Sequence, residues 1–313
     1  MNYTPIPQAQ VFLNNTCSLK CNFCMNKQIK KSNTEYKWPW EVLKDDGLKV
    51  ATTNNIKKYI DYLVKMGVKR IELGTTIGEP LEHNIDEFEI IAKYIETIDQ
   101  IESYFFYTNL TKLTLRHINI FNECNKLQVK ISCYGLSSKQ FLQQTGYNVW
   151  GKFVENFKLL GNVDRKMKIL LAIRNKNTGI RERYGWYKLL ALSRKMHHDI
   201  IHEYTPEHFN WKDTIDFKKN DSKTKNTHKG HCGMIYTDCG ILGNGDFTIC
   251  AWLDLYSDGK IGNIHENTPQ EMLKLRQKII DEQDKGIFKN ICTYCKLYVP
   301  SNSEKANQAG VIQ

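Results

Sequence analysis

The sequence predicts an α/β fold in which helices cover a parallel sheet, followed by a small domain rich in cysteine. Six short apolar segments alternate with segments whose apolar residues recur at helical spacing. Strands that are apolar through their middles are typical of parallel sheets, because helical crossovers cover both faces. Polar residues follow the carboxyl ends of these strands, where α/β sheets and barrels bind their ligands. Beyond residue 210 the alternation stops and cysteines become frequent.

The six strands and their helices can be placed along the first 204 residues. The first strand is the apolar run at 11–13, and the others are expected at 69–73, 102–107, 127–133, 167–173 and 199–204. Helices are expected at 53–66, 85–98, 114–121, 138–143, 149–160 and 183–195. Thr53 or Asn54 can cap the first helix, and Gly67 ends it.

The segment after residue 230 has a different pattern. Two short β segments at 234–242 and 246–251 flank Gly243-Asn244-Gly245, which predicts a hairpin, and a helix is expected at 269–282. We therefore expect four regions, namely a core at 1–209, a linker at 210–230, a cysteine-rich domain at 231–300 and a disordered tail at 301–313.

Composition limits the compartment and the partners. No apolar run reaches the roughly 18 residues of a membrane helix, and the amino terminus lacks the pattern of a secretory signal. We therefore expect a cytoplasmic protein without a membrane partner, in which ten cysteines need an explanation other than structural disulfides. The net charge of +10 allows a nucleic-acid partner, but the lysines are scattered and this partner is not favoured.

Three cysteines directly follow the first strand. Cys17, Cys21 and Cys24 are separated by three and then by two residues. Thiolates are the usual ligands of iron–sulfur clusters, and three ligands for four irons leave one iron open to a substrate or cofactor. The alternative is a partial zinc site that takes its fourth ligand from elsewhere in the chain.

This cysteine spacing after a first strand resembles the signature of the radical S-adenosylmethionine (radical SAM) superfamily. Gly78-Glu79-Pro80 resembles the family's Gly-Gly-Glu-Pro loop, with Ile77 in place of the first glycine. The Glu79 carboxylate can accept charge-assisted hydrogen bonds from an α-ammonium group. The resemblance implies further contacts with the cofactor S-adenosylmethionine (AdoMet), from Phe23 near the adenine, Pro80, Asn109, Ser132 near the ribose, and Arg174 at the carboxylate.

The resemblance also implies a fold and a reaction. The fold is a partial (βα)6 TIM-like barrel with a [4Fe–4S] cluster on Cys17, Cys21 and Cys24, and AdoMet bound to the open iron. Reductive cleavage of AdoMet would give a 5′-deoxyadenosyl radical that takes a hydrogen atom from the substrate. The electron would come from a donor such as flavodoxin or ferredoxin. The expected substrate is a small metabolite (sugar, cyclitol or nucleotide-like) or a peptide, and the short segment before the first strand favours a small molecule.

The cysteines of the last domain resemble the twitch module, the shortened form of the SPASM extension of radical enzymes. The matching features are Cys232, the Gly245-x4-Cys250 hairpin and the closing Cys292-x2-Cys295. They imply four ligands for an auxiliary [4Fe–4S] cluster that completes an oxidation. Cys239 could replace Cys232 as a ligand. The alternative is a zinc ribbon on a nucleic-acid-binding or RNA-modifying protein.

Overall fold

The structure is a computed structural model that describes residues 3–24, 51–74, 78–174, 180–204, 228–236, 239–252, 254, 257, 259–293, 295 and 298. Within these residues the chain forms, in order, β1 (Gln8–Val11), α1 (Thr53–Lys65), β2 (Arg70–Leu73), α2 (Ile85–Glu96), β3 (Ser103–Thr108), α3 (Leu115–Asn122), β4 (Leu127–Cys133), α4 (Ser138–Thr145), α5 (Trp150–Leu159), β5 (Lys168–Ile173), α6 (Ile180–Ser193), β6 (Asp199–Tyr204), β7 (Gly240–Ile241), β8 (Asp246–Thr248), β9 (Lys260–Asn263), α7 (Pro269–Asp284) and α8 (Asn290–Thr293).

The chain divides into two compact units. The central unit comprises Asn14–Ser32 and Ile77–Asn210, and the terminal unit comprises Met1–Leu13, Asn33–Thr76 and Trp211–Gln313. The predicted domain boundaries stay predictions. Most of the predicted linker, 210–227, and the whole tail at 301–313 lie outside the described residues.

The central unit contains a parallel sheet in the order β3-β4-β5-β6. Its strands are buried where the apolar blocks of the sequence predict, as in β4, where Val129 and Ile131 are at most 1% exposed. An aromatic cluster fills the space between β3 and its helices, with Phe106 packing against Phe88 and Phe121 at ring centroid distances of 5.6 and 6.0 Å. The predicted α/β fold class with a parallel sheet is therefore confirmed.

The terminal unit combines parallel and antiparallel pairing. The first strand, β1, pairs in parallel with β2 on one side and with β7 on the other, and β7-β8-β9 continue as antiparallel strands. Gly240 permits the close approach of β7 to β1, because a Cβ there would lie 2.5 Å from the Gln10 carbonyl oxygen. Helix α1 is fixed to the loops of this unit through Tyr59 and Tyr62, whose hydroxyls donate to the carbonyls of Gly243 at 2.9 Å and Asn267 at 2.8 Å.

The structure corrects several predicted bounds. The first strand begins at Gln8 rather than Val11 and ends before Phe12, because its register follows Arg70–Leu73 of β2. The hairpin at 243–245 is confirmed, but its first strand is only two residues long, and Gly233–Tyr236 is a 3-10 helix. The strand β9 was not predicted, since Lys260–Asn263 carries a glycine and polar ends and becomes a strand only by pairing with β8. None of the described helices is long and apolar enough to cross a membrane.

Candidate functional site

The three amino-terminal cysteines lie together on the loop that begins the central unit. Cys21 is buried, and Cys17 and Cys24 are half-buried. Burial, and then the charge of nearby Glu79, raise the pKa of the Cys17 thiol to about 12. Burial likewise raises the pKa of Cys21, followed by the charges of Cys24 and Cys17. A cationic metal centre would be needed to hold Cys17 and Cys21 as thiolates at neutral pH.

Backbone hydrogen bonds fix this cysteine loop on both flanks. The amides of Lys20 and Asn22 donate to the carbonyls of Thr145 and Gln144 at 3.0 and 2.9 Å, at the end of α4. On the other flank the amide of Ser18 donates to the Glu82 carboxylate at 2.8 Å. These hydrogen bonds connect the cysteine loop to the end of α4 on one side and to Glu82 on the other.

The Gly78-Glu79-Pro80 loop is fitted against the residues that precede Cys17. A Cβ on Gly78 would lie 2.1 Å from the Asn14 carbonyl oxygen, so only glycine allows this approach. The Glu79 amide donates to the Thr16 carbonyl at 2.8 Å, and the Asn14 side-chain amide donates to the Glu79 carbonyl at 3.2 Å. Glycine is therefore required here by packing, as expected where backbone groups come close together.

The Glu79 carboxylate is fully enclosed and joins this loop to the end of β3. It accepts hydrogen bonds from the Thr108 hydroxyl at 2.6 Å, the Asn109 amide at 2.8 Å and the Leu81 amide at 3.2 Å. Burial raises the pKa of Glu79 to about 7, although the bonds from Thr108 and Asn109 act in the opposite direction. A carboxylate has about four acceptor positions, so three internal donors leave room for one more. Recognition of an α-ammonium group by Glu79 stays a prediction.

Asn109 contacts the cysteine loop directly. Its side-chain amide nitrogen lies 3.8 Å from the Cys17 sulfur, as a donor, and its side-chain oxygen accepts from the Thr111 amide at 2.9 Å. The bond to Thr111 fixes the orientation of the Asn109 amide and keeps its N–H groups toward the sulfur. Asn109 therefore donates to a cysteine sulfur here, and its predicted contact with AdoMet is untested.

Ser132 and Phe23 meet at a residue that was not among the predicted cofactor contacts, Tyr134. Tyr134 packs on Phe23 with ring centroids 5.2 Å apart, and it forms a side-chain hydrogen bond with Ser132. Burial, and then the charge of Cys21, raise the pKa of Tyr134 well above its usual value. Arg174 lies just past β5, where its backbone amide donates to the Cys133 carbonyl at 2.8 Å. The predicted roles of Phe23, Ser132 and Arg174 toward AdoMet remain predictions.

The terminal unit holds the second set of cysteines around one opening. Cys232, Cys250, Cys292 and Cys295 all line it, together with apolar side chains such as Ile235, Ile249 and Trp252. Burial raises the pKa of Cys292, and the charges of Cys232 and Cys295 raise it further. The four cysteines of the predicted auxiliary site therefore share a single recess.

Cys239 lies in a different environment. It is fully buried just before β7 and does not line this recess. Its thiol instead forms a side-chain hydrogen bond with Arg276 of α7, which is itself fully buried and donates to the carbonyls of Thr4 and Ile235.

The residues present fit the iron–sulfur groups that the sequence implies. Each set is a group of cysteines whose thiols influence one another, and each includes a sulfur that receives an amide N–H from a buried side chain. A single zinc ion would bring its sulfur ligands to within ~3.8 Å of each other, whereas cluster ligands bind separate irons. Within the described ranges no three His, Cys, Asp or Glu side chains are arranged to hold one metal ion.

The predicted cofactor contacts do not include Asn14, Thr108 or Tyr134. Tyr134 and Thr108 lie next to predicted residues at the ends of β4 and β3, so the rule that polar strand ends bind ligands could have found them. Asn14 has no such signal, because its role depends on the loop at Gly78 meeting the loop at Cys17.

Solved structures of three proteins share this fold. BtrN in complex with AdoMet and 2-DOIA is 15% identical, with a TM-score of 0.55, over 97% of this chain and 98% of BtrN. Streptococcus suis SuiB bound to S-adenosylmethionine is 15% identical, with a TM-score of 0.54, over 95% of this chain and 73% of SuiB. Native anSMEcpe with bound AdoMet is 13% identical, with a TM-score of 0.57, over 89% of this chain and 84% of that chain.

These identities establish a common fold and nothing finer. The match to another SuiB structure covers only 60% of the length of that SuiB chain. No curated protein sequence matches the chain.

Residues 11–178, more than half of the 313, match the radical SAM superfamily. The match begins in β1 and contains the cysteine loop, the Gly78-Glu79-Pro80 loop and the ends of β3, β4 and β5. The chain therefore belongs to the radical SAM superfamily, as its cysteine spacing and the loop at Glu79 predicted.

Proposed function

We propose that this protein is an oxidising or modifying radical enzyme with two [4Fe–4S] clusters, one on Cys17, Cys21 and Cys24 and one on Cys232, Cys250, Cys292 and Cys295. When bound and reduced, the first cluster supplies the electron that cleaves AdoMet to a 5′-deoxyadenosyl radical, and the second accepts an electron as the substrate is oxidised. The observation that carries the proposal is the fixed approach of the loop at Gly78 and Glu79 to the loop of Cys17.

The residues of the central unit would bind and orient the cofactor. The Glu79 carboxylate holds the end of β3 in place through Thr108 and Asn109, and keeps capacity for one further donor such as an α-ammonium group. Asn109 donates toward the Cys17 sulfur and so positions that thiolate. Phe23 and Tyr134 form an aromatic wall beside the cysteines, suited to an adenine and to exclusion of water.

The role of the second cysteine set follows from ligand number. Four cysteines line the recess of the terminal unit, against three in the loop of the central unit. A four-iron cluster with four protein thiolates has no open iron, so it suits electron transfer rather than substrate binding. A two-electron oxidation needs such an acceptor, because removal of a hydrogen atom takes only one electron.

The substrate class is a small metabolite or a peptide. Both kinds of ligand occur with proteins of this fold, since BtrN is solved with 2-DOIA and anSMEcpe with the Cp18Cys peptide. We further propose that the protein is cytoplasmic and receives its electron from a donor of the flavodoxin or ferredoxin type.

The test is anaerobic purification followed by iron analysis and AdoMet cleavage under reduction. We expect brown protein with about eight irons per chain, from two four-iron clusters. The triple variant Cys17→Ala/Cys21→Ala/Cys24→Ala should keep about four irons and lose AdoMet cleavage. The double variant Cys292→Ala/Cys295→Ala should also fall to about four irons while it still cleaves AdoMet.

Cys124→Ala is the matched control, because Cys124 is buried after α3 and belongs to neither set. Its iron content should equal that of the parent. Colourless protein that contains zinc and fails to cleave AdoMet would refute the proposal and favour the zinc-ribbon alternative, which predicts RNA affinity that falls steeply with salt. Candidate substrates deuterated at each position would then show which hydrogen passes to 5′-deoxyadenosine.

A further inference from the structure

One buried side chain of α7, Gln283, touches two of the four cysteines that line the recess of the terminal unit. Its side-chain oxygen accepts from the Cys232 amide at 2.9 Å, and its side-chain nitrogen donates to the Cys292 sulfur at 3.6 Å. Gln283 is 1% exposed. Both ends of the amide are thus used, one on the backbone of a proposed ligand and one on the sulfur of another.

The position of Gln283 on its helix makes this use of the amide notable. The buried face of α7 consists of Met272, Arg276, Ile279, Ile280 and Gln283, at helical spacing. Burial of a primary amide without partners would cost on the order of 1–3 kcal/mol, so an apolar residue would otherwise be favoured at the end of this stripe. Gln277 on the same helix is only half-buried and does not line the recess; its side-chain nitrogen donates to Asp281, and its side-chain oxygen accepts from Thr4.

We propose that Gln283 is the positioning residue that sets the reduction potential of the auxiliary cluster. This inference rests on the proposed function, because it requires a cluster on Cys232, Cys250, Cys292 and Cys295. An N–H donor to a ligand sulfur stabilises the cluster more when an added electron raises the negative charge on sulfur. Gln283 therefore makes the auxiliary cluster a better electron acceptor, and its bond to the Cys232 amide holds the donor in place.

The first cysteine set has a similar side-chain amide donor, Asn109, which donates to the Cys17 sulfur. The two amides are on separate units and act on separate cysteine sets, so a change at Gln283 should leave the first cluster as it is. The ligands of the first cluster can therefore be removed without changing Gln283 or its partners.

The experiment is redox titration of the full chain carrying Cys17→Ala/Cys21→Ala/Cys24→Ala, in which only the auxiliary cluster contributes. Into it we would introduce Gln283→Leu, which removes donor and acceptor, and Gln283→Glu, which keeps an acceptor for the Cys232 amide. We expect both to lower the potential, with about a tenfold smaller reduced-to-oxidised ratio at a fixed potential, or ~59 mV for one electron. Both should also lose one exchangeable proton coupling in the hyperfine spectrum of the reduced cluster.

Gln277→Glu is the matched control, because it places the same charge on the same helix away from the recess. It should change neither the potential nor the exchangeable proton coupling. If Gln283→Leu fails to assemble the cluster, the loss of the proton coupling in Gln283→Glu still decides the question.

The two proposals fail in distinguishable ways. Absence of iron from the triple cysteine background would overturn the auxiliary cluster and this inference with it. Retention of about four irons with an unchanged potential and an unchanged proton coupling in the Gln283 variants would overturn this inference alone.

Discussion

Gly78 is the position at which one added methyl group should disturb the candidate site most. In Gly78→Ala the new Cβ would lie 2.1 Å from the Asn14 carbonyl oxygen and 2.8 Å from the Asn14 side-chain oxygen. Carbon and oxygen atoms in contact are separated by more than 3 Å, so the two loops must part by about 1 Å. The Asn14 carbonyl oxygen cannot yield easily, because it belongs to the backbone.

The magnitude follows from the contacts that this shift breaks. The bonds from Glu79 to Thr16 and from Asn14 to Glu79 join the same two loops, and each contributes ~1 kcal/mol. Overpacking of a filled site adds about 1–3 kcal/mol, so we expect the free energy of unfolding to fall by about 3–5 kcal/mol. A displacement of about 1 Å at a cofactor site should also lower AdoMet cleavage on the order of 100-fold.

Urea unfolding of the cluster-free protein measures the first effect, and reductive cleavage of AdoMet by the reconstituted protein measures the second. Gly151→Ala in α5 is the control, since a Cβ there meets nothing within 4 Å. Because alanine favours a helix over glycine, Gly151→Ala should raise stability by up to ~1 kcal/mol and leave AdoMet cleavage intact. Parental stability and parental cleavage in Gly78→Ala would show that the two loops do not meet as described.

Two further predictions concern the packing of the central unit. Gly185→Ala should destabilise the protein by several kcal/mol relative to Gly151→Ala, on the order of other overpacked sites. The reason is that a Cβ on Gly185 would lie 1.8 Å from the Leu136 carbonyl oxygen. Equal urea midpoints for the two variants would refute this contact. His117 is 3% exposed, and burial lowers its pKa from 6.5 to about 4, so the unfolded chain binds more protons between these values and stability falls as the pH drops through that window. The variant His117→Gln keeps an acceptor for the Thr114 amide. In urea titrations, the free energy of unfolding of the parent relative to this variant should fall by about 2 kcal/mol between pH 7.5 and 4.5. A difference that does not change with pH would contradict a buried neutral histidine.

The sequence predicts the parts of this molecule that are encoded locally. The strands β3 to β6 are apolar blocks between helical segments, and their parallel pairing follows from that alternation. The cysteine spacing was likewise sufficient to predict the family. The hydrogen bond from Thr108 to the Glu79 carboxylate could not be predicted, because the two residues are 29 positions apart and their contact depends on how the loops pack. The strand β9 was missed for a similar reason, since its pairing with β8 outweighs a weak strand propensity.

The choice between Cys232 and Cys239 shows how the two kinds of information combine. Spacing to Gly245 favours Cys232, but spacing alone leaves the more buried Cys239 as a rival. In the structure the Cys239 thiol forms a hydrogen bond with the Arg276 guanidinium. The other hydrogen bonds of Arg276 go to the backbone carbonyls of Thr4, Pro5 and Ile235, and none of these partners is a carboxylate. Withdrawal of this thiol toward a metal would leave a fully buried guanidinium with one fewer partner, at a cost on the order of 1–3 kcal/mol. Cys232 carries no such cost, since it already lines the recess beside Cys292 and its amide is held by Gln283. These contacts therefore favour the ligand set proposed from the spacing, and they leave Cys239 as the hydrogen-bonding partner of the buried Arg276 of α7.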